Sequence, residues 1–233
     1  LSVGVLANYN SALNEGIHFY PGIDASYRIG DNVRLYGSWN RALRMPTFTD
    51  LYYEGKTNKG NPDLKPEESE AFEVGLKYNT YFLRAHIAGF YRKGKNMIDW
   101  VKEKPEDIWE SQNLTKVDNL GFETNLSLLP RELGNERFFI RKIELGYAFI
   151  HQDKDSEGYI SNYALDYLKH KFTAQLSHSI WKGFSATWYV RWQDRAGSYT
   201  KYENLKPAYE EPYAPYCLVD MKVNWEYQRL NLY

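Results

Sequence analysis

The sequence of 233 residues contains a single cysteine, Cys217. One cysteine excludes an intramolecular disulfide framework and a cysteine-rich metal site. An excess of charge of either sign is also missing, because 29 Lys and Arg stand against 30 Asp and Glu, a net charge of −1. No basic surface is therefore predicted, and nucleic acid is not an expected partner.

Long apolar runs are missing as well. The longest stretch without a charged residue, 1–14, is interrupted by Ser and Asn, and the mean hydropathy of the chain is −0.65. A membrane-spanning helix needs about 18 to 20 apolar residues, so a helical membrane protein is excluded. The sequence has no initiator Met and no signal peptide, and we therefore expect a fragment or a processed chain.

Aromatic residues are abundant: 21 Tyr, 11 Phe and 7 Trp make up 17% of the chain. Such residues favour β-strands and also collect at membrane interfaces, where one end of the ring is apolar and the other is wet. Composition alone leaves an ordinary aromatic-rich β protein open.

Alternation of apolar and polar residues with a period of two is the dominant pattern. It predicts eleven strands, at 1–10, 17–29, 32–41, 71–79, 81–93, 119–128, 139–151, 168–180, 184–193, 215–227 and from 230 onward. At about 3.3 Å per residue and a tilt near 45°, ten or eleven residues cross the apolar band, about 25 Å tall, of an outer-membrane barrel.

The predicted connections alternate in length. Short turns are expected at 30–31, 79–80, 130–137, 181–183 and 228–229, and longer connections at 11–16, 42–67, 94–116, 152–166 and 196–214. Short periplasmic turns opposite long extracellular loops are typical of transmembrane β-barrels. A soluble lipocalin-like barrel also alternates, but it closes around an apolar interior.

The two predicted faces of the strands differ in polarity. The outward, apolar face is expected to carry Val33, Leu35, Trp39, Leu120, Phe122, Phe172, Leu176, Trp188, Val190 and Trp225. Three basic residues share the phase of large apolar ones, Arg84, His170 and His178, which register slips or bulges would explain. The opposite face carries too many charges to be buried dry, so it should line water or a hydrated plug. The predicted fold class is an all-β, antiparallel transmembrane barrel wall that is incomplete.

The most specific motif lies in segment 36–78. An aromatic strand runs into Arg-Met-Pro-Thr at 44–47 and Asp-Leu-Tyr at 50–52, followed by Gly-Asn-Pro-Asp-Leu-Lys-Pro-Glu at 60–67 and Glu-Val-Gly at 73–75. This segment closely resembles the sequence box of TonB-dependent outer-membrane receptors. The prolines remove ladder donors, so strand pairing must stop here, and Asn-Pro-Asp initiates a turn.

The resemblance implies a 22-stranded barrel filled by an N-terminal plug. The eleven strands would correspond to strands 11 to 21, so we expect the C-terminal half of the barrel without its final strand and without the plug. Open sheet edges are not tolerated in lipid, so the chain alone should form an open, curved sheet and not a working transporter.

The function implied by the resemblance is energy-coupled uptake of a scarce nutrient, a ferric siderophore, cobalamin or haem, across the outer membrane of a Gram-negative bacterium. The implied partners are the lipid bilayer, the plug, the inner-membrane TonB complex and a metal-chelate or vitamin ligand, with no cofactor. The box resembles that of the smaller vitamin and iron receptors more than that of the very large glycan importers. Haem receptors often carry a His between the two halves of the box, and residues 47–60 contain none, which disfavours haem.

Two sets of site residues are predicted. The box positions are expected to be mainly structural: Arg44, Pro46, Leu51, Tyr52, Asn61, Pro62, Leu64, Pro66 and Glu67. We expect Arg41 or Arg44 to pair with Glu67 or Glu70. The candidates for ligand contact are aromatic residues among charges in the two longest loops: Tyr52, Tyr53, Trp100 and Trp109.

Alternative functions remain open at this point. A passive porin would share the barrel but lack the plug. A barrel enzyme could use His86 or His151 with a nucleophile or paired acids, although no recognised catalytic motif is present. Segment 153–158 looks like half of a calcium loop, but its twelfth position is Ala164, so a solvated charged loop is favoured and no metal site is predicted. The Asn113-Leu-Thr115 sequon carries no information in a bacterial protein.

Overall fold

The computed structural model describes residues 1–9, 16–104, 106–134, 138–155, 158–161, 167–203, 206–227 and 230–232. Its strands are β1 (Ser2–Tyr9), β2 (Ile17–Ile29), β3 (Val33–Arg44), β4 (Asn58–Lys59), β5 (Glu67–Asn79), β6 (Leu83–Lys102), β7 (Trp109–Leu128), β8 (Ile140–Asp155), β9 (Ile160–Ser161), β10 (Tyr167–Trp181), β11 (Phe184–Ala196), β12 (Ser198–Glu203), β13 (Lys206–Pro212), β14 (Tyr216–Tyr227) and β15 (Leu230–Leu232). The helices are α1 (Phe48–Tyr52) and a 3-10 turn (Pro130–Leu133), and no helix in these ranges could cross a membrane.

One sheet contains thirteen of these strands, and eleven of them follow one another in the order β1-β2-β3-β5-β6-β7-β8-β10-β11-β14-β15, while the short β4 and β9 pair with β7 and β6. Every neighbouring pair in this order is antiparallel. Within the described ranges β1 and β15 lie at opposite edges and do not pair with each other, so the sheet is open. The predictions of eleven wall strands and of an open sheet are confirmed.

The register of the sheet places the ten predicted outward residues on one face. Cross-strand partners in an antiparallel sheet point to the same side. The register joins Leu35, Leu76, Ile87, Thr124, Tyr147, Phe172, Trp192 and Cys217 in one row across eight strands. Alternation within each strand adds the remaining members, and many of these apolar side chains are exposed. An apolar surface of this extent marks a membrane-facing wall.

The structure accounts for the three basic residues at unexpected phases. His170 and His178 do lie on the apolar face, each beside a register shift, and their rings bond the Tyr147 hydroxyl (2.8 Å) and the Trp188 indole N–H (3.1 Å). For Arg84 the expected slip is absent, since pairing with β5 and β7 is regular there. Arg84 lies on the polar face, and Phe90 shares that face because its ring covers Gly121.

The predicted boundaries were wrong above the apolar band. The expected loop 94–116 is largely a hairpin, because β6 and β7 are 20 residues long each and stay paired up to Val101 and Glu110. The expected loop 196–214 contains the separate β12–β13 hairpin. Above the band neither face touches lipid, so alternation fades there while backbone hydrogen bonding continues.

The β12–β13 hairpin has a carboxylate that makes it sensitive to acid. The Glu211 carboxylate accepts from the Tyr199 hydroxyl at 3.0 Å and pairs with Lys201 Nζ at 3.1 Å. The hydrogen bond from Lys201, followed by the one from Tyr199, lowers the pKa of Glu211 below its usual 4.5. A lowered pKa contributes stability above the unfolded-state pKa, and this contribution is lost as the pH falls through the folded-state pKa.

We expect the local stability of this hairpin to fall as the pH drops below about 4.5, the usual pKa of Glu211. Amide hydrogen exchange over 198–212, corrected for its intrinsic pH dependence, measures the effect. In the Glu211→Gln variant, protection against exchange should be lower at neutral pH and should change little across the acid range. Equal acid sensitivity in wild type and variant would contradict the assignment.

Candidate functional site

The first half of the box folds into a capped helix at the end of β3. Pro46 ends the strand, and Thr47 caps α1. Thr47 Oγ1 accepts from the Asp50 amide at 3.1 Å, while Asp50 Oδ2 accepts from the Thr47 amide at 3.0 Å and from its hydroxyl at 2.7 Å. This reciprocal capping box fixes a helix that is too short to be stable by itself.

The two ends of the box are joined by charge. Arg44 lies 2.9 Å from Glu67 and 3.5 Å from Asp50, and both carboxylates are buried. The same Glu67 oxygen accepts from the Ile98 amide at 2.9 Å. The expected pairing of Arg44 with Glu67 is therefore present, whereas Arg41 pairs with Glu68 and Glu70 accepts from the Trp39 indole.

The second half of the box is a turn that packs back on α1. Asn61 donates its amide to the Asp50 carbonyl at 2.9 Å, and its side-chain oxygen accepts from the Asp63 amide at 2.9 Å. Leu64 follows as one of the buried apolar residues. The turn predicted for Asn-Pro-Asp is confirmed, and it returns the chain to β5.

The tip of the β6–β7 hairpin holds this loop from below. β4 pairs with β7 in parallel, and β9 pairs with β6 on the other edge. The box segment from 44 to 67, the hairpin tip between 96 and 113, and β9 are together called the rim module below. It contains the three most fully buried large side chains of the described residues, Asp99, Val101 and Ser111, each at most 1% exposed. Among the described residues, the most deeply buried of the larger side chains therefore lie above the membrane wall.

The rim module brings the predicted aromatic residues together in part. Tyr52 and Tyr53 are 56% and 50% exposed, whereas Trp100 is only 9% exposed and meets Tyr53 edge-on at 6.3 Å. Trp109 lies beneath Lys102, whose Nζ is 4.6 Å from the ring centroid. Phe48, 79% exposed and 4.7 Å from Tyr52 between ring centroids, extends the aromatic surface. Phe48 lies four positions before Tyr52 in the sequence, and this helical spacing could have identified it as a member of the aromatic surface.

The polar face below the rim module carries its own network. Tyr36 donates to Glu73 at 2.8 Å and contacts His86 Nε2 at 2.7 Å, and Glu123 lies 3.8 Å from His86. A concavity of about 510 Å³ lies on this face, lined by residues that include Lys77, Arg84, His86, Glu144, Arg191 and Asp220. Its lining suits water or a polar protein surface.

The alternative enzyme and calcium sites depended on two histidines and on the acidic segment 153–158. Among the described residues, His86 bonds a tyrosine and not a serine, and His151 is exposed on the apolar-face phase. No group of three or more His, Cys, Asp or Glu in the described ranges could hold a metal ion. Of the half calcium loop, Ser156, Glu157 and Ala164 lie outside the described residues, so its assignment as a charged loop stays a prediction.

A family model described as "TonB dependent receptor-like, beta-barrel" matches residues 6–233. The vitamin B12 transporter BtuB of Vibrio vulnificus is 28% identical over 134 residues, which are 52% of this chain and 21% of that protein. The iron-regulated outer membrane virulence protein of Vibrio cholerae is 27% identical over 185 residues, covering 70% of this chain and 27% of that protein. The chain therefore spans about a quarter of the length of these relatives.

Solved structures show the same fold. The ferric enterobactin receptor of Pseudomonas aeruginosa, determined with enterobactin, superposes with a TM-score of 0.67 at 19% identity, covering 92% of this chain and 34% of that one. The copper transporter OprC gives a TM-score of 0.65 at 16% identity, covering 91% and 32%. At these identities the likeness concerns the barrel wall and not the ligand.

Proposed function

The chain belongs to the TonB-dependent receptor β-barrel family of the Gram-negative outer membrane, and we propose that it is the C-terminal half of the barrel of a nutrient receptor. The intact receptor would take up a scarce metal chelate or vitamin with energy delivered by the inner-membrane TonB complex. The observation that carries the proposal is the family match over residues 6–233, with the family's sequence box folded into one rim module.

Each part of the chain has a role in this proposal. The apolar face lies against lipid, and the polar face lines the space that an N-terminal plug fills. The rim module presents exposed aromatic rings to the outside, held by a buried polar framework beneath them. Ligand captured at the rim would be released inward when the plug rearranges, and no covalent step is involved.

The relatives favour a large chelate as the ligand. They include a vitamin B12 transporter and an iron-regulated outer-membrane protein, and one structural neighbour was solved with enterobactin. Exposed tyrosines beside charged groups suit a molecule that is partly apolar with polar edges. Cobalamin and a ferric siderophore are therefore the first candidates, and no observation on this chain favours a passive porin.

The proposal is tested by measuring uptake by the protein that the complete reading frame containing this chain encodes. This protein is expressed in a strain without its own cobalamin and enterobactin receptors, and uptake of radiolabelled cyanocobalamin and ferric enterobactin is measured with and without TonB. We expect uptake of at least one compound only when TonB is present. Entry that does not depend on TonB, and does not saturate, would support the porin instead.

The ligand-contact prediction concerns four aromatic residues, Tyr52, Tyr53, Trp100 and Trp109. In the full-length receptor we expect alanine at the exposed Tyr52 or Tyr53 to weaken ligand binding by about 2 kcal/mol, measured by calorimetry. Trp100→Ala and Trp109→Ala are tested in the same way, although removing the buried Trp100 also removes packing. Tyr81→Ala, at an exposed ring in the short turn on the opposite side, is the control. Unchanged affinity in all four variants, with the barrel folded, would remove them from the site.

A further inference from the structure

We propose that Asn113 is a positioning residue that holds the box loop, residues 45–66, as a preformed ligand platform. The inference rests on the proposed function only in assuming that ligand is captured at the rim. It assigns a role to a residue whose sequence context shows nothing but a glycosylation sequon.

One side-chain amide makes all the contacts of this clamp. Asn113 Oδ1 accepts from the Lys65 amide at 2.8 Å, and Nδ2 donates to the Lys65 carbonyl at 2.9 Å. Nδ2 also donates to the Asn96 carbonyl at 2.7 Å, across the hairpin. The amide thus satisfies both backbone groups of Lys65, as a neighbouring strand would do.

Asn113 is the last of three attachment points along β7. The Trp109 amide donates to the Thr57 carbonyl at 2.9 Å, and the Ser111 hydroxyl donates to the Asp50 carbonyl at 2.5 Å. Every second residue of this strand, at 109, 111 and 113, therefore holds a different part of the loop. Asn113 holds the returning end, next to the buried Leu64 and the Arg44–Glu67 ion pair.

The position of these attachments explains why the loop would be preformed. Asp50 precedes Tyr52 and Tyr53 in the chain, and Gly60 donates its amide to the Tyr53 carbonyl at 2.6 Å. The two exposed tyrosines are therefore fixed from both sides by backbone that β7 anchors. A loop ordered before binding loses less conformational entropy when the ligand arrives. Releasing Lys65 should therefore weaken ligand binding, because the loop would then have to become ordered when the ligand binds.

The test compares Asn113→Ala and Asn113→Asp with wild type in the full-length receptor. Aspartate keeps the acceptor for the Lys65 amide but faces two carbonyls with oxygen instead of N–H. Asn119→Ala is the matched control, because Asn119 lies on the same strand and its side chain makes no hydrogen bond to any described residue. We expect amide exchange over 57–65 to rise about tenfold in both Asn113 variants, and not in the control.

Ligand affinity separates positioning from mere stability. Cyanocobalamin and ferric enterobactin are the probes, and we expect about tenfold weaker binding of whichever probe wild type binds, with unchanged barrel unfolding. In a Cys217→Ser background, Lys65→Cys with Asn113→Cys should regain affinity when the disulfide is formed and lose it on reduction.

Three results would overturn the proposal. Unchanged exchange over 57–65 would show that Asn113 does not hold the loop. Faster exchange with unchanged affinity would show that the loop is not a ligand platform. Affinity that stays low after the disulfide forms would show that Asn113 does not act by position. If wild type binds neither probe, the proposed ligand class fails, while the exchange result still decides whether Asn113 holds the loop.

Discussion

Replacing Leu176 by arginine should destabilise the folded receptor in a bilayer by about 2–4 kcal/mol. Leu176 lies on the apolar face between Ile143 of β8 and Trp188 of β11, and its side chain is exposed to the lipid side. A guanidinium there would leave water for hydrocarbon without a partner. Denaturant unfolding of the intact receptor in phospholipid vesicles measures the loss.

The neighbouring residue provides the control for this prediction. Gln175 pairs with Glu144 and Tyr189 and belongs to the polar face, where charge is hydrated. Gln175→Arg should therefore change the free energy of unfolding by much less than Leu176→Arg. Equal losses in the two variants would show that the two faces do not differ in environment, and the barrel-wall assignment would fail.

Placing valine at Gly60 should disrupt the rim module. A Cβ atom built on Gly60 would lie 2.8 Å from the Leu51 carbonyl carbon and 2.9 Å from both the Asp50 oxygen and the Tyr52 nitrogen. These are backbone atoms that cannot swing aside, so α1 and the turn must separate. Overpacking of this kind destabilises a structure by about 1–3 kcal/mol, and here we expect the loop and not the barrel to be destabilised.

The expected result for Gly60→Val is a loop that exchanges faster over 48–65 and binds ligand more weakly, with the barrel intact. Amide exchange and calorimetry on the full-length receptor measure the two effects. Gly4→Val is the matched control, because a Cβ at Gly4 in β1 meets no atom within 4 Å. If the Gly60 variant matches the control in both measurements, α1 and the turn are not packed as described.

The buried side chains are distributed unevenly in a way that bears on function. A barrel wall has one face toward lipid and one toward the lumen, so few wall side chains are buried within the sheet itself. The rim module instead buries Asp99, Ser111 and Val101 almost completely. The loop that we propose to carry binding groups is thus supported by a small core of its own, which would keep those groups in place above a thin wall.

The sequence determined the wall because its signals are local and repeated. Lipid on one side and water on the other impose alternation on every strand, so strand number, face and turn position could be predicted from period-two patterns. The prolines and acidic residues of the box likewise predicted where pairing stops and that Arg41 or Arg44 pairs with Glu67 or Glu70, of which the structure contains the Arg44–Glu67 pair. Each of these features depends on residues close in sequence or on one repeating environment.

Only the tertiary structure decided how the rim is built. The pattern that would have marked β6 and β7 beyond the membrane is absent, since neither face there meets lipid, and the hairpin is held by backbone pairing that any residue can make. Trp100 packs against Tyr53, which is 47 positions away in the sequence, and Asn113 binds Lys65, which is 48 positions away. Such contacts depend on how the box loop and β9 pack on one hairpin, and no local preference of the chain specifies that packing.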